Sequence, residues 1–185
     1  MKKGTAIHIL GASGAGTTSV GRYLSEVSGI QHFDTDRFYW LDTSEPFSCP
    51  RPESDRIKIL LEALPESESW VLSGSLCGWG DFLIPRFDLV IWLTVDYDLR
   101  MERLKEREFR RYGQLLSTND KMINKSQTFL NWAGAYDTSA EVSRNAQRHA
   151  EWLGKVDCPV YIVLNNGILK GTVDKINSII ESEFI

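Results

Sequence analysis

The sequence predicts an α/β protein in which a doubly wound parallel sheet lies between two layers of helices. Short apolar runs, typical of buried strands, alternate along the 185 residues with longer segments of helical periodicity. A glycine-rich loop joins the first apolar run to the first helical segment, an arrangement that places an anion at the start of a helix. We therefore expect a three-layer α/β/α fold with its ligands at the carboxyl edge of the sheet.

The predicted elements follow one another without an internal repeat or a low-complexity linker. Strands are predicted over 5–10, 31–34, 70–73, 89–93 and 159–164. Helices are predicted over 17–27, 51–64, 98–111, 141–153 and 171–182, with a further helix inside the polar segment 112–140. Asp98 is expected to cap the third of these helices, and Leu61 to lie on the buried face of the second. All of these elements fit one domain over residues 1–185.

Residues 11–18 read GASGAGTT and match the phosphate-binding motif G-x-x-x-x-G-K-[ST] at every position except one. Gly11 and Gly16 have the required spacing, and Thr18 supplies the hydroxyl expected on Mg²⁺. The loop delivers backbone N–H groups to a helix start, where a bound anion is favoured. The residues predicted to bind nucleotide phosphates are Gly11, Ala12, Ser13, Gly14, Ala15, Gly16, Thr17 and Thr18. The alternative is a turn rich in small residues that binds nothing.

Thr17 occupies the position at which the motif has lysine. An ammonium group there would stabilise the γ-phosphate oxygens during transfer. A threonine hydroxyl donates one neutral hydrogen bond, which is roughly half as strong as a charge-assisted one. Three explanations stay open: another cation fills the space, the protein binds nucleotide but turns it over poorly, or the bound phosphate does not belong to ATP.

Asp34 and Asp36 follow the second predicted strand, at the edge that also carries the glycine-rich loop. We expect Asp34 to hold a water of a Mg²⁺ shell, because Mg²⁺ keeps several waters and few direct protein ligands. We expect Asp36 to orient an acceptor hydroxyl or accept its proton. Both are candidate catalytic residues, and Thr18 and Asp34 are candidate metal ligands. The alternative is an Asx turn that ends the strand.

The order of these features resembles the small-molecule kinases of the P-loop superfamily, such as adenylate, shikimate and gluconate kinases. The features are the loop at 11–18, the D-x-D turn at 34–36, a glycine-rich segment at 73–80 and a helix that carries arginines. The resemblance implies a P-loop NTPase fold with a five-stranded parallel sheet and a mobile helical lid, which we place at about 112–140. It also implies that ATP and Mg²⁺ are the cofactors and that residues 73–80 line the acceptor pocket.

The resemblance assigns two arginines to ATP, Arg103 in cofactor binding and Arg107 in catalysis. Because glutamates interleave with them, a solvated helix face is the alternative. Ser73 stands where nucleotide kinases often carry an acid, so Asp34 would bear more of the metal chemistry. Residues 165–167 would pass the adenine ring, although we favour an ordinary Asn-Gly turn. The cation that replaces the lysine is expected on or near the lid. The candidates are Arg110, Arg111, Lys121, Lys125, Arg144 and Arg148.

The residues around Asp36 leave the acceptor open. Aromatic side chains nearby suit a planar or sugar-like molecule, or belong to the core. They are Phe38, Tyr39, Trp40 and Trp79. Arg37 and Arg51 suit an anionic group on the acceptor.

Composition argues against several other classes of protein. The net charge of −4 provides no basic stripe for a nucleic-acid polymer. Cys49, Cys77 and Cys158 lack C-x-x-C spacing, which disfavours a disulfide scaffold or a zinc site. The sequence has no apolar signal core, and no apolar run approaches the roughly 18 residues of a membrane span. We expect a soluble, cytoplasmic protein that binds no membrane; its oligomeric state does not follow from the sequence.

These observations favour an ATP- and Mg²⁺-dependent phosphotransferase that acts on a small-molecule or nucleotide acceptor. Two other hypotheses stay open. The loss of lysine at Thr17 suits a non-catalytic nucleotide-binding protein, a degenerate kinase, although such a protein has no need of Thr18, Asp34 and Asp36. A slow NTPase that serves as a conformational switch would consume ATP without an acceptor.

Overall fold

A computed structural model describes residues 4–184 and contains a sheet of five strands that are all parallel. The strands are β1 (Ala6–Gly11), β2 (Gln31–Asp34), β3 (Trp70–Ser73), β4 (Leu89–Thr94) and β5 (Val160–Leu164). Their order across the sheet is β2-β3-β1-β4-β5. The central strand β1 therefore carries the glycine-rich loop, and the predicted doubly wound sheet is confirmed.

Eight α-helices occur within residues 4–184. They are α1 (Thr17–Ser28), α2 (Thr35–Tyr39), α3 (Glu53–Ala63), α4 (Tyr97–Tyr112), α5 (Leu115–Thr118), α6 (Asp120–Gly134), α7 (Ala146–Leu153) and α8 (Leu169–Phe184). The segment 112–140 contains the predicted helix, α6, and also the short helix α5, which the sequence did not indicate. In the described part of the chain, every helix is too short or too polar to cross a membrane.

Two separate cores, one on each face of the sheet, give the fold its three layers. Successive side chains of a strand point to opposite faces, so β1 contributes to both cores. On one face Ile9 packs in a cluster with Val20 of α1 and with residues of α8. On the other face Leu10 packs in a cluster with Leu60 of α3 and Trp152 of α7. The predicted α/β/α layering is confirmed.

Three local predictions are wrong in detail. Helix α4 has Asp96 at its cap position, and Asp98 lies in the first turn, where its charge still faces the positive end of the helix. Leu61 is 43% exposed, because the sheet covers only one stripe of α3. Helix α7 starts directly after Asn145, five residues later than predicted, because the Asn145 side chain caps it by accepting a hydrogen bond from the backbone of Arg148.

Candidate functional site

Residues 11–18, here called the phosphate loop, have a shape that requires glycine at three positions. Gly14 and Gly16 have φ angles of 88° and 92°, a region that side-chain-bearing residues rarely adopt. A Cβ on Gly11 would lie 2.4 Å from the carbonyl oxygen of Leu93 on β4. Gly16 directly precedes α1, whose first N–H groups have no partner within the helix. The loop therefore brings a helix start to the carboxyl edge of the sheet, as a phosphate site needs.

Asn165, which follows β5, supports the phosphate loop from outside the motif. Its buried Nδ2 donates a hydrogen bond to the carbonyl oxygen of Ala15 at 2.8 Å, and its Oδ1 accepts one from the Thr172 hydroxyl at 2.7 Å. Its own carbonyl oxygen accepts a hydrogen bond from Arg103 at 2.9 Å. The sequence favoured an ordinary turn at 165–167. That interpretation missed these contacts, because Asn165 and its loop partner are 150 residues apart.

The structure brings together the two predicted metal ligands. The Thr18 hydroxyl donates a hydrogen bond to one carboxylate oxygen of Asp34 at 2.8 Å. The other oxygen of Asp34 accepts the backbone N–H of Asp36 at 3.0 Å and caps α2, so the alternative interpretation as an Asx turn also holds. On the neighbouring strand, the Ser73 hydroxyl lies 2.8 Å from His32 Nε2. Ser73 is therefore already engaged with a side chain of β2.

Asp36 lies in an environment that favours its protonated form. Burial, followed by the charge of Asp34, raises the pKa of the Asp36 carboxyl group. The positive charges of Arg144 and Arg107 act in the opposite direction and only partly offset this rise. A carboxylate with a raised pKa accepts a proton more readily than an ordinary aspartate does, which is the property of a general base.

The arginines of α4 differ in what they contact. Arg100 is fully buried and donates hydrogen bonds to a backbone carbonyl and to Asp137, so it holds the end of α6 in place. Arg103 has one guanidinium nitrogen, Nη1, that is buried without a hydrogen-bond partner in the part of the chain that the structure describes. Arg107 is exposed, and its guanidinium lies 5.3 Å from the ring centroid of Phe129. Arg103 and Arg107 therefore retain donors for a ligand, whereas Arg100 does not.

Four of the six candidates for the missing cation are engaged with glutamates. The pairs are Arg110 with Glu106, Arg111 with Glu108, and both Lys121 and Lys125 with Glu45. Arg148 is exposed, and its recorded hydrogen bonds involve only its backbone. Arg144 reaches the phosphate loop, with its Nη1 3.5 Å from the hydroxyl of Ser13.

The residues predicted for the acceptor are divided between the core and the site. Phe38 and Trp79 are buried in the core cluster on the α3 side of the sheet. Two other aromatic residues are half-buried, Tyr39 and Trp40. The Arg51 guanidinium donates to the backbone carbonyls of Phe38 and Trp40, so it stabilises its own segment. Arg37 is exposed and remains available for an anion.

A buried polar network that the sequence did not indicate joins the segment 73–80 to the phosphate loop. His149 Nε2 lies 3.2 Å from the Ser75 hydroxyl, and His149 Nδ1 lies 2.7 Å from the Tyr136 hydroxyl. Tyr136 packs in a cluster with Ala12 and Ala15 of the loop. Burial lowers the pKa of His149 to about 3, so the ring is neutral at physiological pH. No motif or spacing connects these residues, and only the folded chain shows them to be neighbours.

Comparison with known proteins identifies the family to which this site belongs. A family model described as AAA domain matches residues 7–124, a range that includes β2 to β4, all of β1 except its first residue, the phosphate loop and the D-x-D turn. The chain belongs to this family. The matched range stops before Arg144 and Asn165, which contact the loop from the carboxyl-terminal part of the chain.

The relatives of the AAA-domain protein point to P-loop kinases. Uncharacterized protein YqaC of Bacillus subtilis (strain 168) is 42% identical over 176 residues, which are 95% of this chain and 96% of that protein. A cytidylate kinase of Pyrococcus furiosus is 32% identical over 120 residues, which are 58% of this chain and 60% of that enzyme. Shikimate kinase from Acinetobacter baumannii in complex with shikimate superposes with a TM-score of 0.56 at 18% identity, covering 98% and 96% of the two chains. The predicted resemblance to the P-loop kinase group is confirmed at the level of fold and group.

Proposed function

We propose that this AAA-domain protein transfers the γ-phosphoryl group of ATP, with Mg²⁺, to a small-molecule or nucleotide acceptor. The observation that carries the proposal is the pair of hydrogen bonds that joins Thr18, Asp34 and Asp36 beside the phosphate loop. Phosphoryl transfer depends almost entirely on positioning and electrostatic stabilisation. The site combines a loop that binds phosphate, oxygen ligands for a metal ion and a carboxylate for the acceptor, and together these meet both requirements. The kinase-like fold supports the assignment.

On the ATP side, the N–H groups at the start of α1 hold the phosphates. The Thr18 hydroxyl and the Asp34 carboxylate would hold Mg²⁺, directly or through water, and they fit it because Mg²⁺ takes oxygen ligands from few side chains. When bound, Mg²⁺ neutralises charge on the phosphate oxygens. Arg103 donates to the nucleotide through the guanidinium nitrogen that has no other partner in the described chain.

On the acceptor side, Asp36 orients the acceptor hydroxyl and takes its proton as the hydroxyl oxygen bonds to the γ-phosphorus. The bond between that phosphorus and the β,γ-bridging oxygen breaks, and ADP leaves. Arg107 stabilises the charge on the transferred group, because its positive charge is close enough to act on Asp36. The segment 112–140 acts as the lid. Lys121 and Lys125 of this lid pair with Glu45, in the loop that follows α2, so the lid meets the acceptor side of the site.

The threonine at position 17, where the motif has lysine, favours one other candidate function. This is a degenerate kinase that binds ATP without transferring its phosphoryl group. A slow NTPase is a third. The two enzymes and the binding protein differ in how ATP consumption responds to an acceptor. A panel of nucleoside monophosphates, sugar acids and shikimate-like alcohols should raise ATP consumption in a kinase and leave it constant in an NTPase. A binding protein should consume no ATP with or without the panel.

The first test is a thermal unfolding titration with ATP, with and without Mg²⁺. A ligand at 100 times its Kd stabilises the fold by about 2.7 kcal/mol, which is readily measured. We expect a Mg²⁺-dependent rise in melting temperature that Thr18→Ala reduces. Ser19→Ala changes the exposed next residue and serves as the matched control. If neither ATP nor another nucleoside triphosphate raises the melting temperature of the wild-type protein, the proposed function is wrong.

A further inference from the structure

The lysine missing from the phosphate loop leaves a charge to be supplied from elsewhere. Residues 11–18 contain neither lysine nor arginine. Transfer of a γ-phosphoryl group moves negative charge from the loop toward the acceptor, and a fixed cation along that route stabilises it. A replacement for the lysine must therefore lie between the phosphate loop and Asp36, and it must not be neutralised by a carboxylate of its own.

Arg144 meets both conditions. Its Nη1 lies 3.5 Å from the hydroxyl of Ser13, in the middle of the phosphate loop. The positive charge of Arg144 also lies close enough to act on Asp36, on the acceptor side. Within residues 4–184, no carboxylate lies within ion-pair distance of Arg144, whereas four of the other five candidate cations have such partners.

The surroundings fix Arg144 before any ligand arrives. The buried Asn145 donates hydrogen bonds to two backbone carbonyls within 140–142, and thereby shapes the segment that carries Arg144. The guanidinium carbon of Arg144 lies 5.8 Å from the ring centroid of Trp132 on α6. The indole of Trp132 in turn donates to the hydroxyl of Ser143 at 3.2 Å. A charge held in this way loses little conformational freedom when it meets a phosphate.

A second arginine shares the same space. Burial and the charges of Arg111 and Arg144 lower the pKa of Arg107, so Arg107 and Arg144 are close enough to repel each other. An anionic ligand that lies between the two guanidinium groups would relieve the repulsion between them. We propose that Arg144 supplies the cation for the γ-phosphate that lysine supplies in other phosphate loops. This inference rests on the proposed function, because it requires ATP to bind the loop.

The test compares an ATP analogue with a β,γ-imido bridge against ADP, both with Mg²⁺, by isothermal titration. The two ligands differ at the γ-phosphate position, so no acceptor is needed. Arg144→Met removes the charge and keeps the length of the side chain, and we expect it to lower the preference for the analogue about 10- to 100-fold. Arg110→Met removes an exposed arginine whose partner is Glu106, and it serves as the control that keeps the preference. Thr17→Lys in the Arg144→Met background should restore the preference for the analogue over ADP.

The outcomes separate the two proposals. If the wild-type protein binds neither nucleotide, the proposed function fails and the inference fails with it. If the wild-type protein prefers the analogue and Arg144→Met keeps that preference, only the inference is overturned. The inference about Arg144 is also overturned if Thr17→Lys raises the affinity for the analogue equally with and without Arg144. Additive effects would mean that the two cations act independently. Unchanged melting temperatures of the unliganded variants show that folding is intact.

Discussion

The ATP side and the acceptor side of the candidate site are held by different kinds of contact. On the ATP side, buried hydrogen bonds from Asn165 fix the backbone of the phosphate loop. On the acceptor side, the loop 41–50 meets the lid through the partly exposed pairs of Glu45 with Lys121 and Lys125. Buried hydrogen bonds leave costly unpaired groups when broken, whereas exposed ion pairs contribute little and are screened by salt. We infer that the part of the site that binds phosphate is rigid, whereas the part that faces the acceptor can adjust its shape.

The largest effect is expected at Asp36, where the two sides meet. Asp36→Asn should reduce phosphoryl transfer about 10²- to 10⁴-fold, because the amide cannot accept the acceptor proton. ATP affinity should stay within about twofold of wild type, since the hydrogen bond from Asp36 to Asp34 comes from the backbone N–H of Asp36, which the substitution keeps. Steady-state kinetics and ATP titration measure the two quantities. Asp42→Asn, an exposed aspartate nearby, is the control. A parallel collapse of ATP affinity would refute the division between the two sides.

Acid should destabilise the fold through two buried histidines, His8 on β1 and His149 in the network that joins the two sides. Burial lowers the pKa of His8 to about 4 and that of His149 to about 3. Unfolding raises both toward 6.5, so the unfolded chain binds more protons below pH 6.5 and stability falls as pH falls from 6.5 toward those values. Each histidine should reduce the free energy of unfolding by about 2 kcal/mol between pH 7 and pH 5. Urea denaturation at the two pH values measures the loss, and a constant free energy would contradict it.

A smaller effect, confined to the ATP side, is expected from Asn165→Ala. The substitution leaves the Ala15 carbonyl and the Thr172 hydroxyl without their partner, and it should destabilise the fold by about 1–3 kcal/mol. ATP affinity should fall as the loop loses its support. Asn166→Ala, which removes a single bond to the backbone of Asp96, is the matched control for urea denaturation and ATP titration. Equal losses of stability and of ATP affinity in the two variants would show that Asn165 has no special role in supporting the phosphate loop.

The smallest effect on stability is expected from Glu45→Gln. The carboxylate pairs with lysines at the protein surface, so its loss should shift the melting temperature by less than about 2 °C. Hydrogen exchange should nevertheless increase in residues 41–50 and stay unchanged in the phosphate loop. Glu53→Gln, on an exposed surface of α3, is the control. Faster exchange in both regions would mean that the two sides are not independently held.

The sequence predicted the features that depend on neighbouring residues. All five strands and the turn from β1 into α1 follow from local periodicity and from the glycine spacing at 11–18. The sequence predicted Thr18 and Asp34 at the same edge, because parallel strands end there, and the structure shows that they are in contact. The support from Asn165 and the His149 network could not be predicted, because neither has a spacing or a composition that marks it. The same limit explains why six cations were equal candidates until the folded chain showed which ones already have partners.

The dependence of the phosphate loop on Asn165 has a consequence for how the chain matures. A nascent chain that has emerged as far as residue 124 contains the entire loop motif and the range that matches the family. It contains neither Asn165 nor Arg144, which are synthesised later and contact the loop from outside the matched range. Full affinity for nucleotide is therefore expected only after β5 has docked beside β4, so tight binding would report a completed sheet.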